Sequence, residues 1–271
     1  MRFRVFLTAV GVAASLVATS STASVSTAVA AVLADDGEVL ALPRTLADDD
    51  TVESPAVVNG EAAASADGMG ALLLDGDFRC SASIVAAEWV LTAKHCVVDS
   101  TGDGAKLAAD RLSVRVKSLD RTSGGGVVNV EYTKVRTSHD IALLHLTRSA
   151  NAEYVRLPTV NPAVGTTNYI FGWGSTNGYS GASTYLKRAT VEVTDVNAAD
   201  NYGGPAIRSY KINGYACYGD SGGPQFKLVD GLRYQVGVLS TVTSSGGVCQ
   251  GYQTYASVPA SLDWINEVAG L

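Results

Sequence analysis

CYGDSGGPQF, residues 217 to 226, sets Ser221 among glycines at 219, 222 and 223, beside Asp220 and just past Cys217. Glycines remove side chains where backbone must come close to something, and an acid enclosed there needs a partner for its charge. The stretch also fits G-x-S-x-G, the strand-to-helix turn on which α/β-hydrolases present a serine nucleophile. In that fold the histidine follows the serine in the chain. The three histidines here, His95, His139 and His145, all precede Ser221. That fold is excluded, and the orders His…Asp…Ser and Asp…His…Ser are left.

Outward from this stretch the chain reads as short strands separated by turns. Before it, 70–75, 78–86, 89–93, 112–119, 127–135 and 141–146 are candidates, several with the alternation of half-buried antiparallel strands, as in Ser113-Val114-Arg115-Val116-Lys117. Gly124-Gly125-Gly126 marks a hairpin tip, and a linker-like stretch with Pro158 and Pro162 covers roughly 148–166. A second set follows at 168–174, 185–194, 212–217, 224–229, 234–241 and 252–258. Beyond Pro259, Leu262, Ile265 and Val268, with Trp264 alongside, fit one face of a short terminal helix. Two groups of about six strands predict an all-β fold of two packed six-stranded antiparallel β-barrels with that helix at the end. The first barrel is expected over about 57–150, the second over about 165–258, and the helix over about 259–270.

The start of the chain differs. Arg2 and Arg4 precede an apolar stretch, 5–18, too short to span a bilayer, and Ala28-Val29-Ala30 offers a small-residue cleavage site, with earlier sites near Ser20 to Ala23. This predicts a secretory signal peptide at 1–30 and a secreted, extracellular protein. Residues 31–56 carry seven acids and one base, with few large apolar side chains. They read as a flexible, removable acidic segment, with a plain solvated linker as the alternative. From 57 onward nineteen acids face seventeen bases, so the working part is nearly neutral although the whole chain carries −6. No basic stripe or polybasic patch points to nucleic acid or to an anionic membrane.

Export changes the reading of the four cysteines, Cys80, Cys96, Cys217 and Cys249. None forms a C-x-x-C pair, so two disulfides are expected rather than a metal site. Three pairings are open, and each bridge between near neighbours would contribute about 3 kcal/mol. No cofactor is expected, and no N-x-S/T sequon is present.

Taken singly, His95 in LTAKHCVV reads as a structural or surface residue, Asp140 in SHDIALLHL as a turn residue, and Ser221 as part of a tight turn. LTAKHC, HDIALL and GDSGGP in this order resemble the chymotrypsin/trypsin family of serine proteases. VVNG at 57–60 and FGWG at 171–174 extend the resemblance from Val57 to the terminal helix. The resemblance implies His95 as general base, Asp140 as its orienting acid and Ser221 as nucleophile. It implies an oxyanion hole from the N–H groups of Gly219 and Ser221, and disulfides Cys80–Cys96 and Cys217–Cys249. It also implies a zymogen with 31–56 as pro-segment and 57–271 as protease domain. A cut after Ala56 would free the Val57 amine to pair with Asp220. Family members of this design are mostly cut after Arg or Lys, so an activating protease that prefers small residues is expected here.

The primary pocket departs from the tryptic pattern. Tyr215 stands six residues before the serine, where trypsin-like enzymes have Asp. Ser240-Thr241-Val242 replaces Ser-Trp-Gly, and Gln253 falls where a glycine is usual. Without a carboxylate, a substrate Arg or Lys has no buried partner. Val242 and Gln253 narrow the pocket, which favours small aliphatic side chains; a polar preference or a filled, nearly inactive pocket are the alternatives. The expected function is a secreted serine endopeptidase, the expected partners a protein or peptide substrate and the activating protease, and the expected state a monomer. The rival is a protease-fold binding protein with little turnover, and an esterase would use the same acyl chemistry.

Overall fold

The computed structural model describes residues 57–99 and 104–271; the expected signal peptide and pro-segment lie outside the described residues. The first half forms β1 (Glu61–Ala62), β2 (Met69–Leu74), β3 (Asp77–Ala86), β4 (Trp89–Thr92), β5 (Leu112–Val116), β6 (Gly126–Val135) and β7 (Ala142–Leu146). The six strands β2-β3-β4-β7-β6-β5 close into a barrel. The second half forms β8 (Thr167–Gly172), β9 (Lys187–Ala199), β10 (Pro205–Lys211), β11 (Pro224–Val229), β12 (Leu232–Ser245) and β13 (Val248–Ser257). These run in the order β9-β10-β13-β12-β11-β8, and β8 pairs back with β9 to close the ring. Strand β1 adds to the outside of β9 through Glu61 opposite Arg188. All these pairings are antiparallel, so the expected fold of two six-stranded barrels is the one found.

The alternation that predicted strands is also what fills the barrels. On β5, Leu112, Val114 and Val116 are buried while Ser113 and Arg115 face partly outward. One apolar cluster runs from Leu72, Ile84, Leu91, Val114 and Leu144 into Phe171, Trp173, Phe226 and Val238 of the second half. Each such side chain contributes about 1.5–3 kcal/mol on full burial. The helix α1 (Leu262–Ala269) docks Ile265 into this cluster and stops at Gly270, whose φ is 69°. Among the described residues no helix is long and apolar enough to cross a membrane.

One strand was misplaced by sequence pattern. Residues 212–217 are not a strand; only Tyr215 makes an isolated bridge, to Val58. The strand is β10, seven residues earlier, which pairs with both β9 and β13. Gly203-Gly204-Pro205 resembles a loop, and β10 itself is half polar, whereas Ile212, Tyr215, Ala216 and Cys217 give the following loop a strand-like composition.

Candidate active site

Two strand ends bring the histidine and the acid together. β4 and β7 are antiparallel neighbours, with Thr92 opposite Ala142. His95, three residues beyond the first, and Asp140, two before the second, therefore emerge at the same barrel edge. His95 sits in a 3₁₀ turn, Lys94–Cys96, tied to β3 by the Cys80–Cys96 disulfide, whose Cα atoms are 6.2 Å apart. His95 Nδ1 lies 2.7 Å from Asp140 Oδ2, and the His95 backbone N–H donates to Asp140 Oδ1 at 2.9 Å. Asp140 is fully buried. A third donor reaches it from the second barrel: Ser240 Oγ gives its proton to Asp140 Oδ2 at 2.7 Å. A buried carboxylate so satisfied fixes the imidazole with Nδ1 protonated, leaving Nε2 as the acceptor.

Ser221 comes from the other side of the junction. Its carbonyl accepts the Ser81 N–H of β3 at 2.9 Å, and the following Gly222 donates to Leu239 O at 2.9 Å. Gly222 has φ +75°, and a Cβ there would lie 2.1 Å from Thr92 Oγ1 and 2.6 Å from Ser81 O. Glycine is thus required where the Ser221 loop presses against the first barrel. Among the described residues neither the Gly219 N–H nor the Ser221 N–H has a protein acceptor, and no hydrogen bond joins Ser221 Oγ to His95. Such bonds often tighten only when substrate is bound.

Asp220 turns away from Ser221. Its Oδ1 accepts the Gly174 N–H at 2.8 Å and its Oδ2 the Cys217 N–H at 2.9 Å. Gly174, the last residue of FGWG, leaves room for it: a Cβ there would lie 2.4 Å from the Asp220 carboxyl carbon. Among the described residues no cation pairs with Asp220, and burial pushes its pKa up to about 7 against the pull of the two N–H donors. Val57 is buried among Ile170, Ala189, Val191, Ala216, Leu239 and Tyr255, and Val58 O accepts the Tyr215 N–H at 3.1 Å.

A pocket of about 210 Å³ opens beside the serine, lined by Cys217, Tyr218, Ser221, Leu239, Ser240, Thr241 and Val242. Of the four residues expected there, Ser240 and Val242 form its wall. Tyr215 and Gln253 lie outside that lining. Tyr215 packs with Val58, Val242 and the Cys217–Cys249 disulfide, whose Cα atoms are 5.8 Å apart. Gln253 pairs across strands with Val242 and is buried. Its Oε1 accepts from Ala216 N (3.0 Å) and Tyr255 Oη (2.9 Å), while Nε2 has no partner among the described residues.

The family model described as Trypsin matches residues 57–265. The chain belongs to the trypsin family. Trypsin 5G1 of Aedes aegypti is 32% identical over 216 residues, spanning 71% of this chain and 76% of that protein. Fibrinolytic enzyme, isozyme C, of Lumbricus rubellus is 34% identical over 217 residues, 69% of this chain and 87% of the relative. Chymotrypsin-like elastase family member 3B of Macaca mulatta is 32% identical over 215 residues, 71% and 84%. This trypsin-family chain is a serine endopeptidase, a hydrolase acting on protein or peptide substrates.

Sequence reasoning about this trypsin-family site missed two features. Ser240 was expected only as a pocket wall, yet its hydroxyl is spent on Asp140. Asp200, on the turn between β9 and β10, accepts the Asp140 backbone N–H. The run Asp-Asn-Tyr-Gly-Gly signals a turn, but nothing local in it points to Asp140. Cys80, Cys96 and His95 lie within 4.8 Å of one another, as metal ligands do, but both sulfurs are taken up by their disulfide.

Proposed function

We propose that His95, Asp140 and Ser221 are the catalytic triad of this endopeptidase. The observation that carries the reading is the hydrogen-bonded series Ser240–Asp140–His95, set at the barrel junction opposite Ser221. In the reaction Ser221 Oγ bonds to the scissile carbonyl carbon as its proton passes to His95 Nε2. The carbonyl oxygen becomes an oxyanion and accepts the N–H groups of Gly219 and Ser221, each such donor being worth about 3–4 kcal/mol. Asp140 stabilises the imidazolium without taking its proton. The C–N bond breaks, the departing amine takes the proton from His95, and an acyl-enzyme remains. Water, deprotonated by His95, then attacks the ester, and Ser221 leaves with the returned proton.

The same reading makes the chain an exported, monomeric zymogen: signal peptide 1–30, pro-segment 31–56 and protease domain 57–271. Val57 supports a cut at Ala56–Val57. It has φ +48°, a region unfavourable for a β-branched residue, and cleavage abolishes that dihedral. The cut also supplies an amine to the buried region where Asp220 has no cation among the described residues. Val242 on the wall of a small pocket supports a preference for small aliphatic side chains, and no carboxylate lines that wall for Arg or Lys. The activating protease, cutting after Ala56, shares that preference.

Fluorophosphonate labelling before and after cleavage at Ala56–Val57, with Ser221→Ala as control, tests the reading. Labelling is expected only after cleavage and only with Ser221 present. Folded, cleaved protein that stays unlabelled would refute the triad assignment.

A further inference from the structure

Behind Asp140 lies a second carboxylate that the reaction scheme does not use. Asp200 follows β9 and is only 6% exposed. Its Oδ1 accepts the N–H groups of Tyr202 (2.8 Å) and Gly204 (3.0 Å), which caps the turn into β10. Its Oδ2 accepts the backbone N–H of Asp140 at 2.8 Å, across 60 residues of sequence. The next residue, Asn201, donates its N–H to Ser240 Oγ at 3.0 Å, the hydroxyl that in turn donates to Asp140. The ring of Tyr202 lies under Lys94 Nζ, 3.9 Å from the ring centre, and Lys94 directly precedes His95. Three consecutive residues of one second-barrel turn thus brace the acid's main chain, the acid's hydroxyl donor and the turn that carries the base.

A turn cap needs only the two Oδ1 bonds. The second oxygen does something else. We propose that Asp200 is a positioning residue of the hydrolytic reaction: it holds the Asp140 main chain in register with His95. This rests on the assignment of Asp140 as the acid. Misplacing a catalytic group by about 1 Å costs about a hundredfold in rate, so a buried bond that fixes the acid's backbone acts directly on turnover.

The charged and titratable groups around Asp200 are Asp140, His139 and Arg136, on the segment leading into β7, and Tyr202 on its own turn. Burial, then Arg136, holds the His139 pKa down, with Asp200 opposing. Burial, then Asp140 and Asp200, raises that of Tyr202. Arg136 donates Nη1 to Ala260 O at 2.8 Å rather than to either carboxylate, and Asp263 of α1 also acts on Arg136. Lys94 reaches this group through the Tyr202 ring.

The test compares wild type, Asp140→Asn, Asp200→Asn and Asp200→Ser in protein cleaved at Ala56–Val57, with the folded fraction of each read from its cooperative denaturant unfolding. Asparagine keeps one oxygen for the two turn N–H groups but faces the Asp140 N–H with another donor. Serine caps the turn through its hydroxyl and leaves no second acceptor. For Asp200→Asn, kcat is expected to fall about tenfold, a fraction of what a general base contributes, with KM changed less than about twofold. The acid limb of kcat/KM against pH should move to lower pH, because an Asp140 carboxylate out of register with His95 stabilises the protonated imidazole less. An unchanged kcat and an unmoved limb, with Asp140→Asn inactive, overturns the positioning role alone. A lowered kcat with the limb unmoved makes Asp200 merely structural and also overturns it. Full activity in Asp140→Asn refutes the acid assignment, and this inference with it. Should Asp200→Asn not fold, Asp200→Ser is judged by the same two readouts.

Discussion

At Asp220 two effects oppose each other: burial disfavours the charge, and two backbone N–H donors favour it. Burial wins, raising the pKa from 3.8 to about 7. Between those values the folded chain holds a proton that the unfolded chain has released, so stability falls as pH rises. The contribution is fully present below about pH 4 and lost as pH passes about 7, up to about 4 kcal/mol in all. Urea unfolding of uncut Ser221→Ala protein should show this decline, and Asp220→Asn should flatten it. A slope that survives Asp220→Asn would assign it to another group. At Val242, replacement by glycine removes the side chain from the wall of the pocket beside Ser221. The ratio of kcat/KM for a Phe against an Ala substrate side chain at the cleaved bond should rise about tenfold, since a methylene or two in such a pocket is worth about 1–3 kcal/mol. An unchanged ratio would place the limiting wall elsewhere.

Elements matter here through what they dock. α1 is only eight residues long, too short to be stable alone. It persists because Ile265, fully buried, enters the main core with Trp264 and Val268 packed against it. Ile265→Ala should cost about 2–5 kcal/mol, read as a lower denaturant midpoint with unchanged slope. A change below about 1 kcal/mol would mean that the helix docks without stabilising the barrels. The β9–β10 turn has the opposite balance: its glycines and Asp200 form a turn by local chemistry, and its partners are all in the other barrel or on β12. The strands were legible because their alternation is a local signal. β10 was not, because it opens on Pro205 straight after two glycines and half its side chains are polar, while 212–217 carries apolar residues that serve the pocket region rather than a sheet.

For the whole molecule, the site exists only where two closed barrels meet. His95 and Asp140 emerge from one edge of the first, and Ser221, Ser240 and Asp200 come from the second. The sequence by itself determined the all-β class, the order His95, Asp140, Ser221, the glycines around the serine and the family resemblance, because residue types, spacing and alternation are written along the chain. The tertiary structure alone decided that Tyr215 and Gln253 fall outside the lining of the cavity beside Ser221, that Asp220 is enclosed with no cation among the described residues, and that Asp140 is held at once by His95, Ser240 and Asp200. Those partners lie 45, 100 and 60 residues from it. Local preference acts over a few residues, whereas such hydrogen bonds are set by barrel closure and strand register, which no short stretch of sequence contains.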